Sequence, residues 1–492
     1  MKNLFNSILP FFFIATVLTG CTKNFAKYNL NPDAITSVDP GALLSDALVN
    51  TSAVDMFPRT AYCHAFMQYG YANDWPGNAY VATDDVSQRY WNNFYRPALN
   101  DLEYIVPVLK ARTDMQSTYA AARIWRVFIY QKLTDYYGDI PYSQAGKALT
   151  DKIFTPVYDP QQKIYADFVN ELRESITLLT NNASQKVSGD QFYGGSAAQW
   201  KKLASSMLLK IGMRLIKIDP TQASTLAKEA IADGVMTSNA DMPILLHNSA
   251  SPNGFNFTLN DGQNDFFLHK TLITEMKVTG DPRLAIYGGV YNTFIANGGT
   301  KTTPVDTTQF IGYSFNASDP APNTRVNYDV FGQKDTPFFD FAYAEVEFLT
   351  AEAIVRGYVT GAAADHYKAG ITGHMQSLSK LSGGPIISDA QINAYLAKNP
   401  LPTTTAEAQI AKINTEFWVA GFVFDADEVW ANWRRTGYPV LTPNPGTSGV
   451  IPRKIPYPQS EFNLNNANVT AALANYGGTN DFNSKARVWW DK

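Results

Sequence analysis

A series of long apolar stripes at helical spacing constrains this chain more than any other feature. Ala122, Trp125, Ile129, Leu133 and Tyr136 recur at three- and four-residue steps, with Gly138 just beyond as a stop. Ile164, Phe168, Leu172, Ile176 and Leu179 repeat the pattern behind Asp159-Pro160. Trp200, Leu203, Ala204, Met207, Leu208, Ile211 and Leu215 form a third stripe. Asp219-Pro220 breaks it, and a helix with a smaller-residue face follows as far as Gly234. An apolar stripe on a helix has to be buried against another element. Neighbouring helices joined by short breaks therefore predict helical hairpins that pack on one another.

The third stripe opens with Trp200-x₂-Leu203-Ala204-x₂-Met207, which approximates the tetratricopeptide pattern W-x₂-L-G-x₂-Y. A second candidate pair runs through 343–361 and 362–379, where Ala351, Ala353 and Ala369 allow close approach. No regular period covers the whole chain. Residues 69–90, 236–266 and 288–338 carry Asn, Gly, Pro, Thr and aromatics with little helical period, and "TTPVDTTQFIGYSF" could include short strands. The predicted class is mainly α: a tetratricopeptide-like helical-hairpin scaffold with long irregular loop insertions and a few short strands. Loops of this length in a compact protein are functional or disordered, and an aromatic share of 13% argues against disorder.

Near the start, Lys2 precedes an apolar run from Ile8 to Leu18, the layout of a secretory signal. The run is shorter than the roughly 20 residues that span a bilayer. It ends Leu18-Thr19-Gly20-Cys21, the order of a bacterial lipobox. Residues 1–20 are then a lipoprotein signal peptide, and Cys21 is the lipid-carrying first residue of a mature chain 21–492. Acyl chains anchor because each buried CH₂ contributes about 0.8 kcal/mol. Cys63 is the one other cysteine and fits a buried core thiol.

Catalytic signatures are lacking. The chain has no HExxH, CxxC, GxSxG or GxxxxGK[ST]. His366 and His374 share a helix but lie two turns apart. Asp84-Asp85 and Glu345/Glu347/Glu352 are carboxylates that glycoside hydrolysis could use, though such pairs are common. "NDGQND" at 260–265 lacks the distal Glu of a calcium loop. A net charge of −4 gives no electrostatic footprint for nucleic acid. No metal and no cofactor is expected.

"EVWANWRRTGYPVL" (428–441), "IPRKIPYPQSEFNLNNANVTAAL" (451–473) and "GGTNDFNSKARVWWDK" (477–492) closely resemble the C-terminal signature of the SusD/RagB family. "IWRVFIYQKLTDYYGDIPYSQA" (124–145) and "FLTAEAIVRGY" (348–358) fit as well, and the lipobox followed by "NLNPDAIT" completes the match. The resemblance implies a nutrient-binding lipoprotein of the outer membrane, facing the cell surface. Such a protein captures oligosaccharide, or peptide in some branches, and delivers it to a SusC-like TonB-dependent transporter without doing chemistry on it. A surface glycoside hydrolase and a purely structural partner of the transporter are the rival readings. Trp430, Trp433, Arg434 and Arg435 are family marks of fold rather than of ligand.

The candidate ligand residues are Tyr71, Asn73, Asp74, Trp75, Asn78 and Tyr80, in "YGYANDWPGNAYVATDD". Flat rings suit the apolar face of a sugar, and amide and carboxylate groups suit its hydroxyls. The alternative is that Trp75 and Tyr80 pack the loop onto the scaffold. The loops at 248–266 and 308–333 come next, with Phe255, Phe257, Tyr313 and Tyr328.

Overall fold

Each stripe forms a helix buried on its apolar face. The computed structural model describes residues 38–492 apart from 53–54, 261–265, 294–298, 304, 448 and 483–485. The signal segment, Cys21 and most of the "NDGQND" loop lie outside the described residues. In chain order the principal helices are α1 (Pro40–Thr51), α2 (Asp84–Phe94), α3 (Asn100–Lys110), α4 (Gln116–Tyr137), α5 (Gln161–Asn181), α6 (Ala197–Arg214), α7 (Pro220–Asp233), α8 (Gly254–Asn260), α9 (Lys270–Thr279), α10 (Tyr343–Val355), α11 (Ala363–Ser377), α12 (Ala406–Ala420) and α13 (Ala426–Thr436). The fold is mainly α and tetratricopeptide-like.

Helix α4 is buried along its whole length, with Trp125, Ile129 and Leu133 at 0% exposure, and Gly138 ends it at φ 79°. The α6–α7 hairpin turns at Asp219, whose carboxylate accepts the Gln222 N–H at 2.8 Å, and Pro220 opens the second helix. Gly212 allows the close approach, since a Cβ there would come 2.8 Å from Leu226 Cβ. The α10–α11 hairpin also forms as the sequence predicts. Ala351 and Ala353 are buried in it. The tightest approach falls at Gly370 rather than Ala369: a Cβ on Gly370 would lie 2.6 Å from the Phe348 ring.

Among the described residues, eight short strands interrupt the helices. Strands β1 (Gly70–Tyr71), β5 (Phe267–Leu268), β6 (Gly288–Val290) and β7 (Thr324–Val326) make one antiparallel sheet in the order β1-β5-β7-β6. The remaining strands, β2 (Ile140–Pro141), β3 (Tyr158–Asp159), β4 (Ile244–Leu245) and β8 (Phe338–Phe339), pair as β2–β3 and β4–β8. The "TTPVDTTQFIGYSF" stretch holds a 3₁₀ turn, Thr307–Gln309, and an isolated bridge from Tyr313 to His269. The strands lie to either side of that stretch, because the pairing partner β5 sits between distant segments. The 69–90 segment is likewise less irregular than its composition suggests. Its end is α2, where Tyr90, Trp91 and Phe94 point into the core.

Helix α13 carries four ionised side chains into the interior. Asp427 lies 3.0 Å from Lys132 and 3.5 Å from Arg59. Glu428 lies 2.6 Å from Arg214, and Lys210 lies 2.9 Å from Glu345. Arg435 meets Glu352 in a two-pronged pair at 2.6 and 2.7 Å, with both side chains 1% exposed. Burial alone would push Glu352 upward, but Arg435 and Arg356 outweigh it and hold its carboxyl at about 2 against an ordinary 4.5. That contribution is complete above pH 4.5 and fades as pH falls toward 2, a span equivalent to about 3 kcal/mol. Glu352→Gln should therefore flatten the acid limb of the stability curve over that window. Arg435→Ala, which strands a buried carboxylate, should cost about 3–5 kcal/mol. Chemical denaturation of both variants between pH 2 and 7 measures the two effects.

Candidate ligand-binding surface

Alternation along the four-stranded sheet sets the site. Gly70, Phe266, Leu268, Thr324 and Val326 are buried, while Tyr71, Phe267 and Arg325 between them are half-buried. Directly opposed residues in a sheet share a face. The register pairs Tyr71 with Phe267, Phe267 with Arg325, and Arg325 with Gly289. Tyr71, Phe267 and Arg325 thus form one row across the outer face, with neighbouring members one strand spacing, about 4.8 Å, apart. The Arg325 guanidinium stands 4.7 Å over the Phe267 ring.

The row continues past the sheet edge. Tyr313 N–H donates to Leu268 O at 2.8 Å, and Lys270 N–H donates to Tyr313 O at 2.7 Å, which fixes the 313 backbone beside β5. The Tyr313 ring then stacks on Tyr71, with centroids 3.7 Å apart and planes 9° from parallel. Phe315 adds a ring 6.0 Å from Tyr313. Tyr71 Oη donates to Asn73 Oδ1 at 2.9 Å, and Asn73 and Asp74 are exposed next to it. The surface combines flat apolar faces with amide, carboxylate, hydroxyl and guanidinium groups at their rims.

The structure divides the six residues that the sequence singles out. Tyr71, Asn73 and Asp74 belong to this surface. Trp75 and Tyr80 do not, being only 5% and 4% exposed, so the expectation that their rings stack on ligand is corrected. Trp75 packs edge-on against Phe266 at 4.7 Å. Tyr80 lies 6.0 Å from Phe66, and its Oη accepts the Asn444 N–H. Asn78 works inside the loop as well, its Nδ2 donating to Ala72 O at 2.7 Å while its carbonyl accepts from Asn444 Nδ2 at 2.7 Å. These three hold the loop that presents Tyr71. Gly70 is part of the same device, since a Cβ there would fall 1.7 Å from the inward-turned Phe266 ring. Phe255 is core, and Phe257 is 69% exposed.

Phe267 and Arg325 were not singled out from sequence. Their strands are two and three residues long, below the four to eight over which alternation becomes a signal. The carboxylates considered for hydrolysis have structural partners. Glu345 faces Lys210, Glu352 is held by Arg435 and Arg356, and Glu347 lies 2.7 Å from His366. Asp84 accepts the Gln459 N–H, and Asp85 lies 3.8 Å from Arg89. Cys63 is buried, with its Sγ 2.9 Å from Tyr136 Oη. Among the described residues no cluster of three or more potential metal ligands occurs, and no helix is long and apolar enough to cross a membrane.

A helical-hairpin scaffold thus holds an aromatic and polar outer surface on a small sheet. The chain belongs to the SusD-like family described as "Starch-binding associating with outer membrane", which it matches over residues 32–458. Among solved structures it is similar to a chitin-binding protein at 31% identity and TM-score 0.80, covering 92% of this chain and 100% of that one. A SusD-like protein of Bacteroidetes AC2a is similar at 27% identity and TM-score 0.78, covering 92% of this chain and 100% of the other. A SusD homolog of Bacteroides fragilis shares the fold at 24% identity and TM-score 0.75, covering 93% and 100%. No curated protein matches the chain.

The division of labour within the loop is measurable. Trp75→Ala should lower stability by roughly 3–5 kcal/mol, as removal of a buried aromatic does. Tyr71→Ala, on the outer face, should stay within about 1 kcal/mol of the parent. Thermal melts of the two variants side by side decide it, and equal losses would contradict the assignment.

Proposed function

We propose that this protein captures oligosaccharide on the row Tyr313–Tyr71–Phe267–Arg325 and delivers it to a SusC-like TonB-dependent transporter. The observation that carries the reading is the row itself, with ring faces and a guanidinium spaced along one open sheet face. Sugar rings pack against the exposed parts of the Tyr71–Tyr313 stack and of Phe267, while Arg325, Asn73 and Asp74 exchange hydrogen bonds with their hydroxyls. The 31% identical chitin-binding structure and the starch-binding family description support a glycan ligand. A peptide remains the alternative cargo, and the same titration against a peptide pool separates the two. The protein works as a binder without catalysis, the candidate carboxylates Glu345, Glu347 and Glu352 being paired with Lys210, His366 and Arg435 within the frame. The mature chain is one SusD-like domain running from Cys21, whose acyl chains hold it to the outer membrane facing the cell surface.

Calorimetric titration with chitin- and starch-derived oligosaccharides tests the row. Tyr71→Ala or Phe267→Ala should weaken binding by about 2 kcal/mol, roughly thirtyfold, with the melting temperature retained. Unchanged affinity in both variants would remove the row from the site. Cys21→Ala should move the protein out of the outer-membrane fraction, and an unmodified amino terminus on Cys21 in the native protein would refute the anchor.

A further inference from the structure

A cleft of about 600 Å³ is lined by Ser249, Asn256, Tyr328, Gln333, Lys334 and Asp335. Its walls are tied together from two distant segments. Asn253 N–H donates to Lys334 O at 2.9 Å, and its buried Nδ2 donates to Thr336 O at 2.9 Å. Asn256 Nδ2 donates to Gly332 O, and Gln333 Nε2 donates to Tyr328 O at 3.2 Å. The two segments that wall the cleft are therefore joined to each other by hydrogen bonds.

The lining excludes most ligand classes. Lys334 and Asp335 offset each other in charge, which leaves no field to concentrate an anion. Apolar small molecules favour walls that are mostly hydrophobic. Here every lining residue carries a hydrogen-bonding group, and Tyr328 supplies the one ring. Amide, hydroxyl, ammonium and carboxylate around a single flat ring match a polyhydroxylated chain.

The cleft also lies close to the end of the row. Tyr328 follows Arg325 by three residues, so their Cα atoms are at most about 11 Å apart. The sheet ends at Gly289, where a Cβ would come 2.9 Å from Lys301 Cδ, so the Lys301 stem lies over the last position of the row. Its ammonium reaches Asp329, beside Tyr328, at 2.8 Å. One ion pair thus bridges the end of the row to the rim of the cleft.

We propose that this cleft is an extension subsite that takes further sugars of a glycan chain already held on the row. The proposal rests on the reading of the row given above, and it makes the protein selective for longer chains. The test titrates chitin and malto-oligosaccharides of two and six sugars against four proteins: the parent, Ser249→Trp to fill the cleft, Lys334→Ala with Asp335→Ala to strip its exposed polar groups, and Tyr71→Ala. The parent should bind six sugars more tightly than two. Both cleft variants should lose about tenfold in affinity for the six-sugar probe and bind the two-sugar probe as the parent does, while Tyr71→Ala weakens both lengths. Six-sugar binding unchanged in both cleft variants, or both lengths weakened equally, overturns the extension subsite and leaves the row standing. Failure of the parent to bind any of these probes overturns the row and the cleft together.

Discussion

The pair between Arg435 and Glu352 joins two parts of the chain that the sequence keeps 83 residues apart, and it does so with both side chains out of water. It is one contact in a chain of buried charges along α13. Asp427 and Glu428 sit in the first turn of that helix, and Arg434 and Arg435 in the last, each sign at the end the helix dipole favours. The acidic end takes Lys132 and Arg59 on one side and Arg214 on the other, which ties α13 to α4 and α6. At the basic end Arg434 lies between two indoles, 3.6 Å from Trp430 and 4.7 Å from Trp490. It also donates to the carbonyls of Asp135 and Arg453. Buried pairs gain little net stability over apolar packing, yet breaking one is costly. Their effect here is on arrangement: mispositioned hairpins would leave charges unpaired in a dry interior.

That network explains what the sequence makes legible. The helices could be read because their apolar residues repeat over four to six turns, and hairpin partners followed from adjacency. The C-terminal signature stands out for a different reason. Trp430, Arg434, Arg453, Trp490 and Asp491 converge on one buried cluster, in which Arg453 and Lys217 reach Asp491 at 2.6 and 3.1 Å, while Arg435 beside them is held by Glu352. Residues so constrained make a recognisable pattern, and it marks the frame rather than the ligand.

The candidate site was only half legible, and the reason is local. A loop containing Tyr71, Trp75 and Tyr80 has the composition of a sugar site whichever way its rings turn. The direction depends on Phe266, Phe66 and Asn444, which lie far along the chain, save Phe66. Trp75 and Tyr80 turn inward because hydrophobic neighbours await them, and Tyr71 turns outward because its strand alternates. Phe267 and Arg325 gave no periodic signal at all, since their role comes from a register that only the assembled sheet defines.

The brevity of those strands has a consequence for how such a receptor can diversify. Tyr71, Phe267, Arg325 and Tyr313 come from four separate segments, and each contributes one outward side chain. The inward neighbours of each position, together with the charge-locked hairpins, fix the backbone that displays them. Replacing an outward residue therefore changes the outer face of the sheet while the frame keeps its own set of contacts. In effect the four positions are coupled in two pairs, Tyr71 with Tyr313 and Phe267 with Arg325, so the outer face can be reworked a pair at a time without entering the folding problem.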